Sequence, residues 1–423
     1  MVDLVIHGDD SDIAVEGGII VERASVPAKR EIDARGLWVL PGVIDVHVHF
    51  NEPGREHWEG AATGSRAFAA GGGTLYFDMP LNSTPCTVGP REFAAKRAAL
   101  GAASVTDFAL WGGIVPGNRG VLADLAEAGA IGFKAFMCDS GLPEFPRSDD
   151  LTLYEAMCEA AKLGLPVAVH AESEEITREL TRRAVEEGRS GILDYLNSRP
   201  IVAEVEAIHR AALLAREAGV KLHIVHISSG RGVAAAIEAR RAGTDISIET
   251  CAHYLTFTDE DMVRIGAAAK CAPPLRSAAE REEMCRHLRD GGIDIVASDH
   301  SPAPADMKED PNFFKVWGGI AGVQSTLAVL FDNLPPPAIA RVLAETPAAR
   351  FRIPRKGKIA VGYDADLVLV DPYVEYDLKA EDLKQRHPIG PYVGHKFHHK
   401  IRQTFVRGVE APQSSKGRFV RPA

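Results

Sequence analysis

The chain has 423 residues, of which 46% are hydrophobic and 25% are charged. This is ordinary globular composition with enough apolar residues for a large core, so it excludes a disordered chain and a small disulfide-held scaffold. The formal net charge of -10 argues against nucleic acid or an anionic membrane as the main partner.

The first 40 residues contain short apolar runs at Leu4–His7, Ile13–Val15 and Ile19–Val21, with turn residues between them. Runs of this length and spacing predict a small antiparallel sheet.

From residue 41 to residue 353, short β-rich apolar runs alternate with longer alanine-rich segments. The candidate strands are Val43–His47, Thr74–Met79, Phe108–Ile114, Gly132–Met137, Val167–His170, Leu222–His226, Asp245–Glu249 and Ile293–Ser298. The helix-like segments between them include Gly60–Ala70, Pro90–Leu100, Leu151–Leu163, Ala203–Glu217 and Gly232–Ala242. This alternation predicts an α/β fold, a (β/α)8 TIM-like barrel, with an open doubly wound sheet as the alternative.

The chain becomes β-like again from residue 354, at Ala365–Asp371 and Gln403–Arg407. Because chain termini often lie close together, we predict that residues 1–40 and 354–423 form one small composite β-domain beside the barrel of residues 41–353. The polar end, residues 413–423, is expected to be loosely held.

The sharpest motif is Asp45-Val-His47-Val-His49, at the end of the first candidate barrel strand. Alternate residues of a strand point to one face, so His47 and His49 would both project inward at the end of the barrel where enzymes place their sites. Imidazole is a common zinc ligand, but an H-x-H pair alone is equally compatible with core histidines.

Four more polar residues lie at equivalent places along the barrel. They are Lys134 within the fourth candidate strand, His170 and His226 at the ends of the fifth and sixth, and Asp299 directly after the eighth. A single histidine at a strand end is usually a hydrogen-bonded core residue. The convergence of four histidines and an aspartate on one barrel mouth instead favours a metal site.

Lys134 lies among apolar neighbours in Gly132-Phe-Lys-Ala-Phe136. Burial disfavours the charged ammonium. A neutral amine can react with carbon dioxide to give a carbamate, N6-carboxylysine, which is an anionic ligand able to bridge two cations. The alternatives are that the side chain reaches solvent or pairs with a carboxylate.

These residues predict a centre of two divalent metal ions. His47, His49 and Asp299 would hold the first, His170 and His226 the second, and carboxylated Lys134 would lie between them. Two cations about 3.5–4 Å apart can share a hydroxide, and Asp299 can take its proton as general base and return it to a leaving nitrogen as general acid. The predicted reaction is hydrolysis of an amide or a similar polarised carbon centre. Zinc is the first choice, and cobalt and manganese are compatible with the same ligands.

Several segments resemble the cyclic amidohydrolases, which include dihydroorotases, hydantoinases and allantoinases. They are Pro41–Gly54, Gly132–Met137, Glu249–Leu255, Cys271–Arg276, Ser298–Pro302 and Gly362–Asp371. The resemblance extends over essentially the whole chain. It implies a barrel with a composite β-domain, a binuclear metal centre, a carboxylated lysine and assembly into a homotetramer.

Within this family the allantoinase branch is the most similar, through Asn51–Gly54, Asp78–Ser83, Trp317–Gln324 and Pro391–Gly394. Dihydroorotases carry an arginine where this chain has Asn51, and an uncharged amide suits a neutral ring better than a carboxylate. The resemblance therefore implies hydrolysis of the ring amide of allantoin to allantoate. A hydantoinase or dihydropyrimidinase activity and a non-catalytic scaffold relative are the alternatives.

Asn51, Asn82 and Ser301 are candidate hydrogen-bond partners of the substrate ring and its ureido group, and loop capping is the alternative explanation for each. The six cysteines form no C-x-x-C pair, the chain starts without a recognisable signal peptide, and no long apolar run occurs. We therefore expect a cytoplasmic enzyme whose partner is a small molecule, with no nucleic-acid or membrane partner.

Overall fold

The computed structural model describes residues 1–9, 11–22 and 27–423. The N-terminal strands are β1 (Val2–His7), β2 (Ile13–Glu16), β3 (Ile19–Val21), β4 (Ala28–Asp33) and β5 (Trp38–Pro41). The first four form a sheet in the order β3-β2-β1-β4. β1 pairs antiparallel with β2 but parallel with β4. The three predicted runs correspond to β1, β2 and β3, which pair antiparallel as expected. β4 was not predicted, and it adds to the sheet beside β1 in parallel.

The barrel strands follow in chain order. They are β6 (Val43–Val48), β7 (Gly73–Asp78), β8 (Asp107–Leu110), β9 (Gly112–Gly113), β10 (Phe133–Phe136), β11 (Val167–His170), β12 (Leu222–Ile224), β13 (Ile246–Cys251) and β14 (Ile295–Ala297). Only Trp111 separates β8 from β9, so these two share the third position in the barrel. Neighbouring positions pair in parallel. A parallel bridge between Val48 and His300 joins the first position to the last. The predicted α/β barrel is confirmed.

Among the strands that are shorter than predicted, β12 and β14 end next to site candidates. β12 ends at Ile224 and β14 at Ala297. His226 and Asp299 follow these strands with φ angles of 39° and 45°. This left-handed backbone lies outside the β region, so neither residue can continue its strand.

Helices connect the strands around the outside of the barrel. Those of the described residues are α1 (Ala61–Ala70), α2 (Pro90–Ala103), α3 (Leu122–Ala128), α4 (Asp150–Leu163), α5 (Glu174–Glu186), α6 (Ile192–Ser198), α7 (Ile201–Ala218), α8 (Gly230–Arg241), α9 (Ala252–Thr256), α10 (Asp259–Ile265), α11 (Ala278–Arg289), α12 (Thr326–Leu330), α13 (Pro336–Ala340) and α14 (Thr346–Arg350). α4 shows why these segments start and stop where they do. The Asp149 carboxylate accepts a hydrogen bond from the backbone of Thr152, and Gly164 ends the helix with φ 68°.

Within the described residues, no helix is both long and apolar enough to cross a membrane.

The C-terminal strands are β15 (Leu367–Asp371), β16 (Tyr376–Asp377), β17 (Lys396–Phe397), β18 (Lys400–Val406) and β19 (Val409–Ala411). One sheet has the order β19-β18-β15-β5, so an N-terminal strand joins three C-terminal ones. This is the pairing on which a composite β-domain depends. The division at residues 40 and 353 stays a prediction.

The end of the chain is attached to the barrel. Phe108 donates from its backbone to Arg418 at 3.0 Å, and Val420 donates back to Phe108 at 2.8 Å. The Phe419 ring packs against Phe93 and Phe108. The prediction that residues 413–423 are loosely held is therefore wrong for residues 418–420, because one aromatic side chain in this polar segment reaches the core.

Candidate metal centre

The carboxyl ends of the barrel strands surround a cavity of about 400 Å³. Its lining includes five of the six predicted metal ligands, namely His47, His49, His170, His226 and Asp299. The sixth, Lys134, lies on β10 and is fully buried. Parallel barrel strands present their carboxyl ends at one rim, which is why residues from distant parts of the chain meet here.

Asp299 lies between the first two histidines. Its Oδ1 atom is 3.2 Å from His47 Nε2 and 3.3 Å from His49 Nε2. Although burial raises it, the neighbouring His47 and His49 rings hold the pKa of the Asp299 carboxyl below its usual range. Two imidazoles and an ionised carboxylate at this spacing have the donor chemistry of a zinc site.

The other two histidines adjoin this group. His170 Nδ1 is 3.0 Å from His226 Nε2, and the ring centroids of His47 and His226 are 5.3 Å apart. Ligand atoms of His47, His226 and Asp299 all lie within 4.8 Å of one another. Burial lowers the pKa values of His47, His170 and His226. These imidazoles are therefore neutral near pH 7, which is the form that binds a metal.

Lys134 has no hydrogen-bond partner for its Nζ atom among the described residues. The amine lies 4.9 Å from the centroid of the Phe136 ring. Burial lowers its pKa to about 7, although the charges of Glu249 and Asp299 act in the opposite direction. The side chain neither reaches solvent nor forms an ion pair within the described structure, so neither sequence-based alternative accounts for it. A buried, unpaired amine that is partly neutral near pH 7 has the reactivity that carbamate formation requires.

The three predicted substrate-binding residues are placed differently from one another. Asn82 and Ser301 line the cavity, and Asn82 Nδ2 donates to Ser301 Oγ at 3.2 Å. Asn51 is buried outside the lining, where its Nδ2 donates to the Pro302 carbonyl at 3.4 Å. Asn51 and Asn82 have left-handed φ angles of 64° and 70°, which asparagine tolerates in turns. Loop shaping is thus sufficient to explain Asn51, whereas Asn82 and Ser301 also face the cavity.

Glu172 and Arg199 were not identified from the sequence. The fully buried Glu172 carboxylate is 2.8 Å from His170 Nε2, and it also accepts a hydrogen bond from Arg199, which lines the cavity. This carboxylate therefore orients the His170 ring while the guanidinium balances its charge. The available signal was an acidic residue two positions after a strand-end histidine.

The loop after β14 forms one wall of the cavity through residues 317–319. Two lysines hold this loop through its backbone. Lys270 Nζ donates to the carbonyls of Phe313 and Val316, both at 2.6 Å. Lys308 Nζ donates to two carbonyls within 317–319, both at 2.8 Å. These contacts were not predictable, because the acceptors are backbone atoms that carry no sequence signature.

The chain is similar to known proteins over nearly its whole length. The amidohydrolase family profile matches residues 38–411. An allantoinase of Solibacter usitatus is 64% identical over 97% of this chain and 93% of its own length. An allantoinase of Rubrobacter xylanophilus is 53% identical over 99% of this chain and 98% of its own length. Among solved structures, the L-hydantoinase (dihydropyrimidinase) of Arthrobacter aurescens matches with a TM-score of 0.95 at 32% identity, over 100% of both chains.

Proposed function

The chain belongs to the amidohydrolase family, as a cyclic amidohydrolase of the allantoinase type, and we propose that it hydrolyses the ring amide of allantoin to allantoate at the barrel mouth. One observation carries this proposal. Neutral imidazoles, an ionised Asp299 and the unpaired amine of Lys134 lie together in a chain that is 64% identical to an allantoinase.

The donor set fits two divalent cations. One would be held by His47, His49 and Asp299, the other by His170 and His226, with carboxylated Lys134 between them. The fit is supported by Lys134 Nζ, which is buried and lacks a hydrogen-bond partner within the described residues, and by the Nε2 atoms of His47 and His49, which both face Asp299. Two such ions, when bound, would lower the pKa of a water molecule and polarise the amide carbonyl. Zinc is the first choice for these nitrogen and oxygen donors, and cobalt and manganese are compatible.

Asp299 would move the proton that ring opening requires. Its carboxylate is ionised in the free enzyme, so it can accept a proton from the attacking water as the new C–O bond forms. The same oxygen would then donate that proton to the ring nitrogen as the C–N bond breaks. The Nε2 atoms of His47 and His49 lie 3.2 and 3.3 Å from this carboxylate, so all three side chains face the position proposed for the first ion. Asn82 and Ser301 would bind the ring and ureido groups from the cavity wall, while substrate contact by Asn51 stays a prediction.

Lys134 should make reconstitution of the metal-free enzyme depend on pH. Carbamate formation needs the neutral amine, whose nitrogen bonds to carbon dioxide and then releases a proton. With a pKa lowered to about 7, the amine is mostly protonated below that pH and mostly neutral above it. At constant dissolved carbon dioxide and zinc, we therefore expect activity to return faster as the pH rises from about 6 to about 8. The measurement is zinc per chain and recovered activity against time. A rate that is constant over this range, or recovery without any carbon dioxide, would contradict the carbamate.

The substrate is tested by turnover of allantoin, hydantoin and dihydrouracil by one zinc-loaded preparation. We expect kcat/KM to be highest for allantoin, because only allantoin offers a ureido group to the polar cavity wall. The likeness to a solved hydantoinase makes hydantoinase activity the second candidate. Turnover of hydantoin without turnover of allantoin would select that candidate instead. The metal-stripped enzyme is the control and should act on none of the three.

A scaffold relative is disfavoured because all six predicted ligand positions carry donor side chains. The homotetramer and the cytoplasmic location stay predictions. The molecular mass of the native protein in solution tests the homotetramer.

A further inference from the structure

Glu249, on β13, is a fully buried carboxylate beside the candidate metal centre. Its Oε1 atom lies 2.9 Å from His47 Nδ1 and accepts a second hydrogen bond from the backbone N–H of His226 at 3.0 Å. A single oxygen atom therefore contacts residues from both halves of the centre.

The second oxygen of Glu249 is anchored away from the cavity. Oε2 lies 2.8 Å from His223 Nε2, and His223 Nδ1 lies 2.8 Å from Ser247 Oγ. Ser247 Oγ also lies 3.3 Å from the Leu222 carbonyl oxygen. His223 and Ser247 are cross-strand partners of β12 and β13, so the barrel itself fixes the direction of the Glu249 side chain.

This arrangement has a defined consequence for His47. An ionised carboxylate only accepts hydrogen bonds, so the His47 proton lies on Nδ1 and leaves the Nε2 lone pair free on the side of Asp299. His226 is held differently, through its backbone in the left-handed conformation with φ 39°. Such a conformation is strained for a residue with a side chain and persists only where its surroundings fix it.

We propose that Glu249 is a positioning residue that couples the two metal positions, orienting His47 for one ion and holding the backbone of His226 for the other. This inference rests on the proposed function, because it takes the two histidines to serve different ions. Glu172 provides the internal comparison, since within the described residues the His170 ring is the one predicted ligand that its carboxylate contacts. Loss of Glu249 should therefore weaken the binding of both ions, whereas loss of Glu172 should weaken the binding of only one.

The test measures two zinc dissociation constants per chain by competition with a chelator, in the full-length protein. Glu249→Gln keeps the shape of the side chain and removes its charge. We expect this variant to raise both dissociation constants by about 10–100-fold, the range for residues that orient metal ligands. Glu172→Gln should raise one dissociation constant and leave the other unchanged. Glu204→Gln is the matched control, because Glu204 is also a buried carboxylate but its partners are Ser228 and Ser229. It should change neither constant.

His223→Phe covers the case in which Glu249→Gln does not fold. This variant keeps a ring beside Trp111 and Phe351 but removes the hydrogen-bond partner of Glu249 Oε2. Both dissociation constants should therefore rise, by a smaller factor than in Glu249→Gln. Unchanged constants, or a loss confined to one ion, in the Glu249 variant would overturn the coupling. If Glu249→Gln does not fold, the same results in His223→Phe would overturn it. A wild-type chain that binds fewer than two ions would instead overturn the proposed function.

Discussion

Lys134→Ala is expected to lose nearly all activity, by about 10⁴-fold or more, as happens when one member of a catalytic unit is removed. Lys134 is the one residue proposed to serve both ions directly, and its buried amine has no other partner within the described residues. The variant should therefore also lose bound metal. The measurement is kcat together with metal content per chain after gel filtration.

Short carboxylic acids provide the decisive control for this variant. Acetate or propionate can enter the space left by the lysine side chain and supply an anionic oxygen ligand in place of the carbamate. Partial recovery is expected in Lys134→Ala but not in Lys134→Arg, whose side chain fills the same space and stays charged. Full activity of the untreated alanine variant would show that no bridging carbamate is needed.

Asp299→Asn is expected to lower kcat by about 10²–10⁴-fold, the usual contribution of a general acid or base. The amide has the shape of the carboxylate and can remain near His47 and His49, but it cannot carry the proton to the leaving nitrogen. KM should change much less than kcat. Steady-state kinetics with metal content measured on the same sample separates loss of proton transfer from loss of metal.

Asp139→Asn is the matched control for the aspartate, because Asp139 supplies the other carboxylate of the cavity wall within the described residues. Asp139 lies outside the cluster of predicted ligands, so the kcat of Asp139→Asn should stay within several-fold of the wild-type value. If Asp299→Asn retained wild-type kcat, another group would have to move the proton.

The convergence of the predicted ligands at the barrel mouth could be predicted from the sequence, because strand periodicity and chain order carry the needed information. His47 and His49 are two positions apart on a barrel strand, so they share a face whatever the exact strand ends. The place of His226 and Asp299 in the cavity lining was predictable for the same reason, although both lie beyond their strands. The strand ends were not predictable there, since the left-handed backbone at these residues is imposed by long-range contacts such as the one from Glu249 to His226.

The residues that orient the ligands were harder to predict. His223 and Glu249 lie in strands whose side chains are all buried, and a polar residue at such a position indicates a buried partner without showing which residue it is. Their partners belong to other strands, so only the assembled barrel shows that Glu249 contacts both His47 and His226. Asn51 shows the converse, because its place in a family-like motif suggested substrate contact but its side chain lies outside the cavity lining.

The most direct test of the account is anomalous diffraction at the zinc edge from crystals of the zinc-loaded enzyme. The account predicts two peaks about 3.5–4 Å apart at the barrel mouth, with electron density extending from Lys134 Nζ between them. One peak should lie beside His47, His49 and Asp299, and the other beside His170 and His226. A single peak, or two peaks flanking an unmodified Lys134, would contradict it.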